Sequence, residues 1–138
     1  PEELYSRPVS AYVADFVGAA NTLTVTLAGP VTGGSRAAID LDGTMVEATA
    51  TAPLPAGGAI LVARAESLRL VPPAEGKPGD VPCTIRRRQY LGGRTTYQVH
   101  TRAGRAIRVE AHGEATPLAV GATVGLRLDP LRSLVVGS

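Results

Sequence analysis

The sequence has few of the residues that usually carry disulfides, metal sites or catalysis. Its 138 residues include no tryptophan, one phenylalanine, one cysteine and two histidines. A single cysteine, Cys83, excludes an intrachain disulfide, and we interpret it as a buried, unreactive thiol within a strand. His100 and His112 lie far from Cys83 in the chain, without the compact spacing of a zinc site. We therefore expect no metal centre.

The motifs of common catalytic machinery are also missing from the sequence. There is no Gly-x-x-x-x-Gly-Lys-Ser/Thr phosphate loop, and the glycine pairs at 33–34, 57–58 and 92–93 stand in turn-like contexts. No Gly-x-Ser-x-Gly elbow is present, and no sequence pattern indicates a nucleophilic serine or cysteine next to a general base. We therefore expect this chain to be no enzyme by itself and to hold no cofactor.

Net charge and hydrophobic runs limit the partners. The formal charge of +2 is too small to indicate a polyanionic partner, although residues 71–138 are more basic than residues 1–70. No apolar run approaches the roughly 20 residues that span a bilayer, and the chain opens without the pattern of a signal peptide. Any membrane association is therefore expected to come through a partner protein.

What the sequence does contain favours an all-β domain. Sixteen glycines and eleven prolines are spread along a chain rich in valine and threonine, which predicts many turns and few long helices. Leu23, Val25 and Leu27 alternate with threonines, as in a half-buried strand. Asp42-Gly43 stands between two such runs and predicts a tight hairpin.

Continuing this pattern along the chain gives about ten strands. Two strand-rich halves, residues 19–71 and 81–138, flank a proline- and glycine-rich linker at 72–80. Gly92-Gly93 and Gly104 turn consecutive strands of the second half, whose five predicted strands fit a small, partly closed barrel of the OB type. No internal sequence repeat is evident.

Residues 1–18 differ from the rest. Tyr12, Val13 and Phe16 recur at helical spacing, and Pro8 divides the segment into two short helices. The segment holds the only phenylalanine and two of the four tyrosines. We expect it to be the helical end of a preceding domain, because a small β domain would rarely place its largest apolar residues on an isolated arm.

The most basic run is Arg86-Arg87-Arg88, followed by Arg94. On a regular strand, Arg86 and Arg88 would share one face and Arg87 the other. A single-strand nucleic-acid reader needs aromatic platforms beside such a groove, and only Tyr90 and Tyr97 are available, so no nucleic acid is expected. The candidate residues for an effector or subunit contact are Arg86, Arg88, Arg94 and Thr95.

Several stretches resemble one family in its own order. Residues 1–8 (PEELYSRP), residues 13–18 (VADFVG) and Asn21 resemble the end of the nucleotide-binding domain in ABC importer ATP-binding subunits. The branch is the one that serves maltose, polyamines and ferric iron. Residues 60–70 resemble its strand ending in Arg-Pro-Glu, with Ala65 in place of the proline. Residues 90–104 and 120–130 are similar to its C-terminal TOBE-type domain. The signature positions are Arg64, Glu66, Tyr90, Leu91, Gly92, Thr96 and Tyr97.

The resemblance implies a non-catalytic regulatory domain of the OB-like TOBE type at 19–138, following the tail of a nucleotide-binding domain. ATP and magnesium would bind in that preceding domain. Implied partners are a second copy of the subunit, the membrane subunits, and a regulatory protein or small effector. The implied location is the cytoplasmic face of the bacterial plasma membrane. The resemblance does not specify which solute is transported. The alternative functions are a small-ligand sensor and an OB-type nucleic-acid binder.

Overall fold

The computed structural model describes residues 20–112 and 117–137 and consists almost entirely of strands. The predicted helical segment 1–18 lies outside the described residues. The elements are β1 (Ala20–Leu27), β2 (Arg36–Leu41), β3 (Thr44–Ala50), β4 (Gly57–Arg64), β5 (Arg69–Val71), β6 (Val81–Leu91), β7 (Arg94–Thr101), β8 (Ala106–His112), β9 (Thr123–Arg127) and β10 (Ser133–Gly137), with 3₁₀ turns at Ala65–Ser67 and Pro73–Glu75. The prediction of an all-β fold of about ten strands is confirmed.

Five strands close into a barrel in the order β1-β2-β3-β10-β4, with β4 pairing back onto β1. The tight turn between β2 and β3 has Asp42 at φ 50° and Gly43 at φ 93°, the left-handed conformations that an Asp-Gly hairpin turn requires. Side chains on β2 alternate strictly between exposed and buried, so that Ile39 and Leu41 point into the barrel. Binary patterning therefore predicts the strands of this barrel, but the expectation that the strands of residues 81–138 form the barrel is wrong: of these strands only β10 takes part, because it fills the gap between β3 and β4.

The other five strands form a sheet in the order β5-β9-β6-β7-β8. Its connectivity repeats that of the barrel, because β6 to β9 pair with one another as β1 to β4 do. The apolar cores of the two sheets are continuous, and Ile85, Val99 and Ile107 from the second sheet are fully buried together with Leu61 and Val135 from the barrel.

Each half of the chain gives its last strand to the other half's sheet. β5 follows β4 in sequence but pairs with β9, whereas β10 follows β9 but pairs antiparallel with β4 and parallel with β3. The sheets therefore do not coincide with the sequence halves 19–71 and 81–138. The physical reason is that β5, with three residues, and β10, with five, satisfy edges that β1–β4 and β6–β9 leave open.

Hydrogen bonds from Arg105 join the turn between β7 and β8 to the turn between β2 and β3. Arg105, just before β8, donates to the Asp42 carboxylate through Nε at 3.2 Å and Nη2 at 2.8 Å. Its Nη1 donates to the Thr24 carbonyl at 2.6 Å and to Thr24 Oγ1 at 2.9 Å, and the Thr101 hydroxyl also donates to Asp42. Burial alone would raise the pKa of Asp42, but the bonds from Arg105 and Thr101 and the Arg105 charge outweigh it and hold that pKa below its usual value.

One further contact joins the second sheet to the barrel, and another fixes the loop that leads into β6. The Asn21 side chain donates to the Arg108 carbonyl and accepts from the Arg108 N–H, both at 2.8 Å, so it pairs with the backbone of β8 as a strand residue would. Arg127 contacts both carboxylate oxygens of Asp80 at 2.8 Å. The hydrogen bonds from Arg127 hold the pKa of Asp80 below its usual value, against the opposing effect of burial.

Candidate functional site

The outer part of β6 is a sheet edge with no strand beside it among the described residues. β6 pairs with β9 only through Val81 to Thr84, and Ile85 then bonds to Gly121 and Ala122. From Arg86 to Leu91 every residue is exposed, and β7 alone pairs with this stretch. The segment 86–91 therefore presents backbone N–H and C=O groups at an open edge, which we call the β6 edge.

A β-bulge lies where the β6 edge begins. The pairing of β6 with β7 shifts between Ile85 and Arg87, so Arg86 has no directly opposite residue on β7. The bulge interrupts the strict alternation from which Arg86 and Arg88 were predicted to share a face. Beyond it the pairing is regular, with Arg87 opposite Gln98 and Arg88 opposite Tyr97. Arg87 and Arg88 therefore lie on opposite faces of the hairpin.

Arg88 and Tyr97 together hold the backbone of Leu118. Arg88 Nη1 donates to the Leu118 carbonyl at 3.0 Å, and the Leu118 N–H donates to the Tyr97 hydroxyl at the same distance. Tyr97 is buried, whereas Arg88 is exposed. Two of the residues predicted from sequence therefore position the chain leading into β9.

Arg94 and Thr95 have different surroundings. Arg94 lies 3.6 Å from Glu110, whose other carboxylate oxygen is 3.8 Å from His112 Nε2. Thr95 is buried, with 9% of its surface exposed, so it has little access to a soluble effector. Of the four candidate contact residues, the structure therefore places Arg86, Arg88 and Arg94 on the surface.

The tip of the hairpin exposes two large apolar side chains. Tyr90 is 70% exposed and Leu91 45% exposed, and Gly92 follows at φ 56° in the two-residue turn. Thr96 lies opposite Gln89 in the register. Because aromatic side chains are enriched at protein interfaces, the exposed Tyr90 makes this tip a candidate contact surface.

The remaining signature residues, Arg64 and Glu66, lie away from this hairpin in sequence. Arg64 is the last residue of β4 and Glu66 is the middle residue of the 3₁₀ turn, with Arg64 Nη1 3.6 Å from Glu66 Oε1. Ala65, between them, is buried. The short turn that the family forms with proline is therefore formed here with alanine.

A polar cavity of about 300 Å³ lies on the face of the second sheet that carries Arg87. Polar and apolar side chains both line it, namely Asn21, Arg87, Gln89, Thr96, Tyr97, Gln98, Ala106, Ile107 and Arg108. Within the described part of the chain, the lining includes two guanidinium groups and no carboxylate. Its chemistry suits a small anion.

Residues 20–112 and 117–137 contain no group of three His, Cys, Asp or Glu side chains close enough to hold a metal. Burial raises the pKa of the Cys83 thiol to about 12, so a thiolate nucleophile does not form there near neutral pH. Of the helices in the described part, none is long and apolar enough to cross a membrane.

Sequence reasoning missed the residues that join the sheets. Asp42 was predicted only as a turn residue, and no local pattern connects it with Arg105, 63 positions later. Asn21 was named only as one of the residues that carry the family resemblance, and no structural role was predicted for it. Gln89, in the middle of the β6 edge, gave no signal of its own.

Comparison with known proteins identifies the fold family. Residues 61–136, more than half of the chain, match the model of the TOBE domain. The chain belongs to the TOBE domain family. The match covers β5 to β9, the second half of β4 and most of β10, so it includes the β6 edge and the polar cavity's second-sheet residues.

Curated relatives of this TOBE-domain chain are ATP-binding proteins, which confirms the resemblance to ABC importer ATP-binding subunits. A spermidine/putrescine import ATP-binding protein PotA of Mesorhizobium japonicum is 33% identical over 110 residues. PotA 1 of Pseudomonas aeruginosa is 34% identical over 133 residues, and PotA of Frankia alni 36% over 125. The matches cover 79%, 87% and 79% of this chain but 29%, 34% and 26% of the relatives. The chain therefore spans about a third or less of their length.

A solved structure shares the fold of the TOBE-domain chain. The cytoplasmic molybdate-binding protein ModG, crystallised with molybdate bound, superposes with a TM-score of 0.70, covering 86% of this chain and 96% of ModG. Identity is 16%, so the likeness concerns the fold alone. It confirms the OB-like class predicted from the sequence.

Proposed function

We propose that this chain is the regulatory and dimer-steadying domain of the ATP-binding subunit of a polyamine importer. The observation that carries the proposal is the match of three polyamine-import ATP-binding proteins over most of this chain. The domain would hold two ATPase subunits near each other between turnovers, on the cytoplasmic side of the membrane, beneath the membrane subunits. ATP and magnesium would bind in the ATPase domain, outside this chain.

The structure of the domain suits a mechanical role. Its two sheets share one core, and the Arg105 network and the Asn21 side chain link them. A rigid body of this kind can keep two catalytic domains at high effective concentration without entering the chemistry. The exposed hairpin tip offers a surface for the contact.

A chimeric transporter tests the assignment to an importer. The matched third of the Pseudomonas aeruginosa relative is replaced by this chain, and spermidine uptake is measured in vesicles with that relative's membrane subunits. We expect uptake well above that of the subunit lacking any such domain. Uptake no better than the truncated control, with the chimera folded and able to bind ATP, would contradict the proposal.

Self-association tests the dimer-steadying role separately. Sedimentation equilibrium of this chain, repeated after deletion of residues 1–18, should give the same dimer affinity for both forms if the β domain carries the contact. Association of the longer form alone would assign it to the deleted segment instead. A monomer at all concentrations would remove the dimer-steadying part of the proposal.

The polar cavity supports a second candidate, a small-anion sensor of the same transporter class. Arg87 and Arg108 line about 300 Å³ of space beside amide and hydroxyl side chains. Thermal unfolding in sulfate, phosphate or molybdate tests it against chloride at equal ionic strength. Stabilisation that Arg108→Gln abolishes would favour the sensor, whereas an equal effect on both proteins would count against it.

A further inference from the structure

The β6 edge has the geometry of an open strand position. A two-residue turn joins β6 to β7, so Leu91 and Arg94 form the first hydrogen-bonded pair, and Gln89 and Arg87 bond to β7 at alternate positions. Arg88 and Tyr90 therefore direct their backbone N–H and C=O groups outward. Arg88 and Tyr90 of two copies could therefore form a short antiparallel ladder.

We propose that the β6 edges of two copies of this chain pair antiparallel about a two-fold axis at Gln89, making one continuous sheet. The proposal deepens the dimer-steadying role above and rests on it. In such a pairing, the residues that exchange hydrogen bonds must be those whose backbone N–H and C=O groups point outward, so Arg88 and Tyr90 of one copy must face Arg88 or Tyr90 of the other. With the axis at Gln89, Arg88 of each copy lies opposite Tyr90 of the other, and Arg87 lies opposite Leu91.

Charge and ladder length favour this register over the two registers whose axis lies one residue earlier or later. An axis one residue earlier would place Arg88 opposite Arg88, and like charges directly opposite on a sheet are destabilising. An axis one residue later would pair Tyr90 with itself and leave Arg88 opposite Gly92, which shortens the ladder. Of these three registers, only the one with its axis at Gln89 lets Arg88 face Tyr90 without placing two arginines opposite each other.

The side chains brought together are complementary on both faces. On one face, each Arg88 guanidinium meets the ring of Tyr90, a cation–π pair that forms twice by symmetry. On the other face, the stem of Arg87 covers the exposed side chain of Leu91, while its charged end reaches solvent. The two Gln89 amides meet at the axis and can bond to each other. The exposure of Tyr90 and Leu91 in the single chain is thereby accounted for.

Site-specific cross-linking tests the axis. Residues at 89 would form a non-hydrogen-bonded pair with Cβ atoms about 4.5–5.5 Å apart, within reach of a disulfide after small adjustment. Gln89→Cys is oxidised with glutathione and analysed on a non-reducing gel. Leu91→Cys is the matched control, because its two copies would lie about 13 Å apart along the strands. The native Cys83 is buried and does not compete.

We expect Gln89→Cys to form a covalent dimer at least about tenfold faster than Leu91→Cys. Faster cross-linking of Leu91→Cys would overturn the register.

A residue swap tests the Arg–Tyr pairs in solution. Tyr90→Arg places arginine opposite Arg88 and should raise the dimer Kd at least tenfold in sedimentation equilibrium. The double variant Arg88→Tyr/Tyr90→Arg restores an Arg–Tyr pair at both places and should return the Kd to within about threefold of the original. Thermal unfolding of each variant checks the fold, since Arg88 also bonds to the Leu118 carbonyl.

The outcomes separate this inference from the proposed function. If the unmodified chain dimerises but Tyr90→Arg dimerises equally well, the β6 edge is not the contact, and the dimer-steadying role stands through another surface. If the unmodified chain is monomeric throughout, both the pairing and the dimer-steadying role are overturned, and the assignment to an importer depends on the chimera alone.

Discussion

Replacing Asp42 with asparagine tests whether the Arg105 network holds the two sheets together. Asparagine tolerates the left-handed conformation that residue 42 adopts, so the turn is kept and the charge is removed. Asp42 accepts one hydrogen bond from Thr101 and two from Arg105. Thr101 and Arg105 Nε both donate to Oδ2, so the amide oxygen in that place keeps these two bonds, and the variant loses the charge and the contact of Arg105 Nη2 with Oδ1.

The expected cost follows from burial. The side chains of Asp42 and Arg105 are 11% and 26% exposed, so solvent screens the pair only in part. Hydrogen bonds to charged groups contribute about 1.5–3 kcal/mol each. Allowing for that exposure, we expect Asp42→Asn to lower the free energy of unfolding by about 2 kcal/mol. At an m-value of about 2 kcal/mol per M of urea, the midpoint falls by about 1 M.

Urea unfolding followed by far-UV circular dichroism is the assay, because the chain has no tryptophan. Glu47→Gln is the control: its ion pair with Arg36 is mostly exposed and should contribute less than about 0.5 kcal/mol. The double variant Asp42→Asn/Arg105→Gln should cost less than the sum of the single changes. A loss below about 0.5 kcal/mol for Asp42→Asn, or strict additivity, would refute the network's role.

Acid gives a second readout of the same variant. Because the folded pKa of Asp42 lies below its unfolded value, its contribution is complete above about pH 4 and is lost as pH falls through the lower folded pKa. The stability gap between the original chain and Asp42→Asn should therefore be level from pH 7 to about 4 and shrink below it. A gap that widened in acid would contradict the sign of the shift.

Three further predictions concern buried groups. Ser133 is fully buried and its hydroxyl has no hydrogen-bond partner among the described residues, so Ser133→Ala should leave the urea midpoint unchanged or raise it; a loss above about 1 kcal/mol would reveal a partner. Cys83 should not react with a thiol reagent at pH 8 until urea unfolds the chain, and rapid native labelling would contradict its burial. Val135 on β10 is completely buried, so Val135→Ala should cost about 2–3 kcal/mol, whereas Val120→Ala, at an exposed position, should cost under about 0.5 by the same assay.

Local patterns were enough to predict the strands and turns. The alternation around Val25 and the Asp42-Gly43 turn each correspond to an observed element, because burial of one sheet face leaves a period-two pattern in sequence. The bulge at Arg86 left no such pattern. It depends on how β6 meets β7, which the sequence of β6 alone does not specify.

Pairings between distant segments could not be predicted. Nothing in the sequence of β10 distinguishes a strand beside β9 from one beside β4, since both positions bury alternate apolar side chains. The partner of Arg88 is a backbone carbonyl 30 residues away, which has no sequence signature. The candidate contact residues therefore lie on one hairpin, as the sequence indicates, whereas the contacts of each side chain required the three-dimensional structure.

The placement of β10 between β3 and β4 has a consequence for synthesis on the ribosome. The first four strands are complete once Arg64 has been made, yet their barrel cannot close until Ser133–Gly137 has also emerged. Throughout that interval β3 and β4 present unpaired edges, on which partly made chains can associate. A ribosome that stalls between residues 64 and 133 would therefore leave a nascent chain with two unpaired strand edges, which favours aggregation.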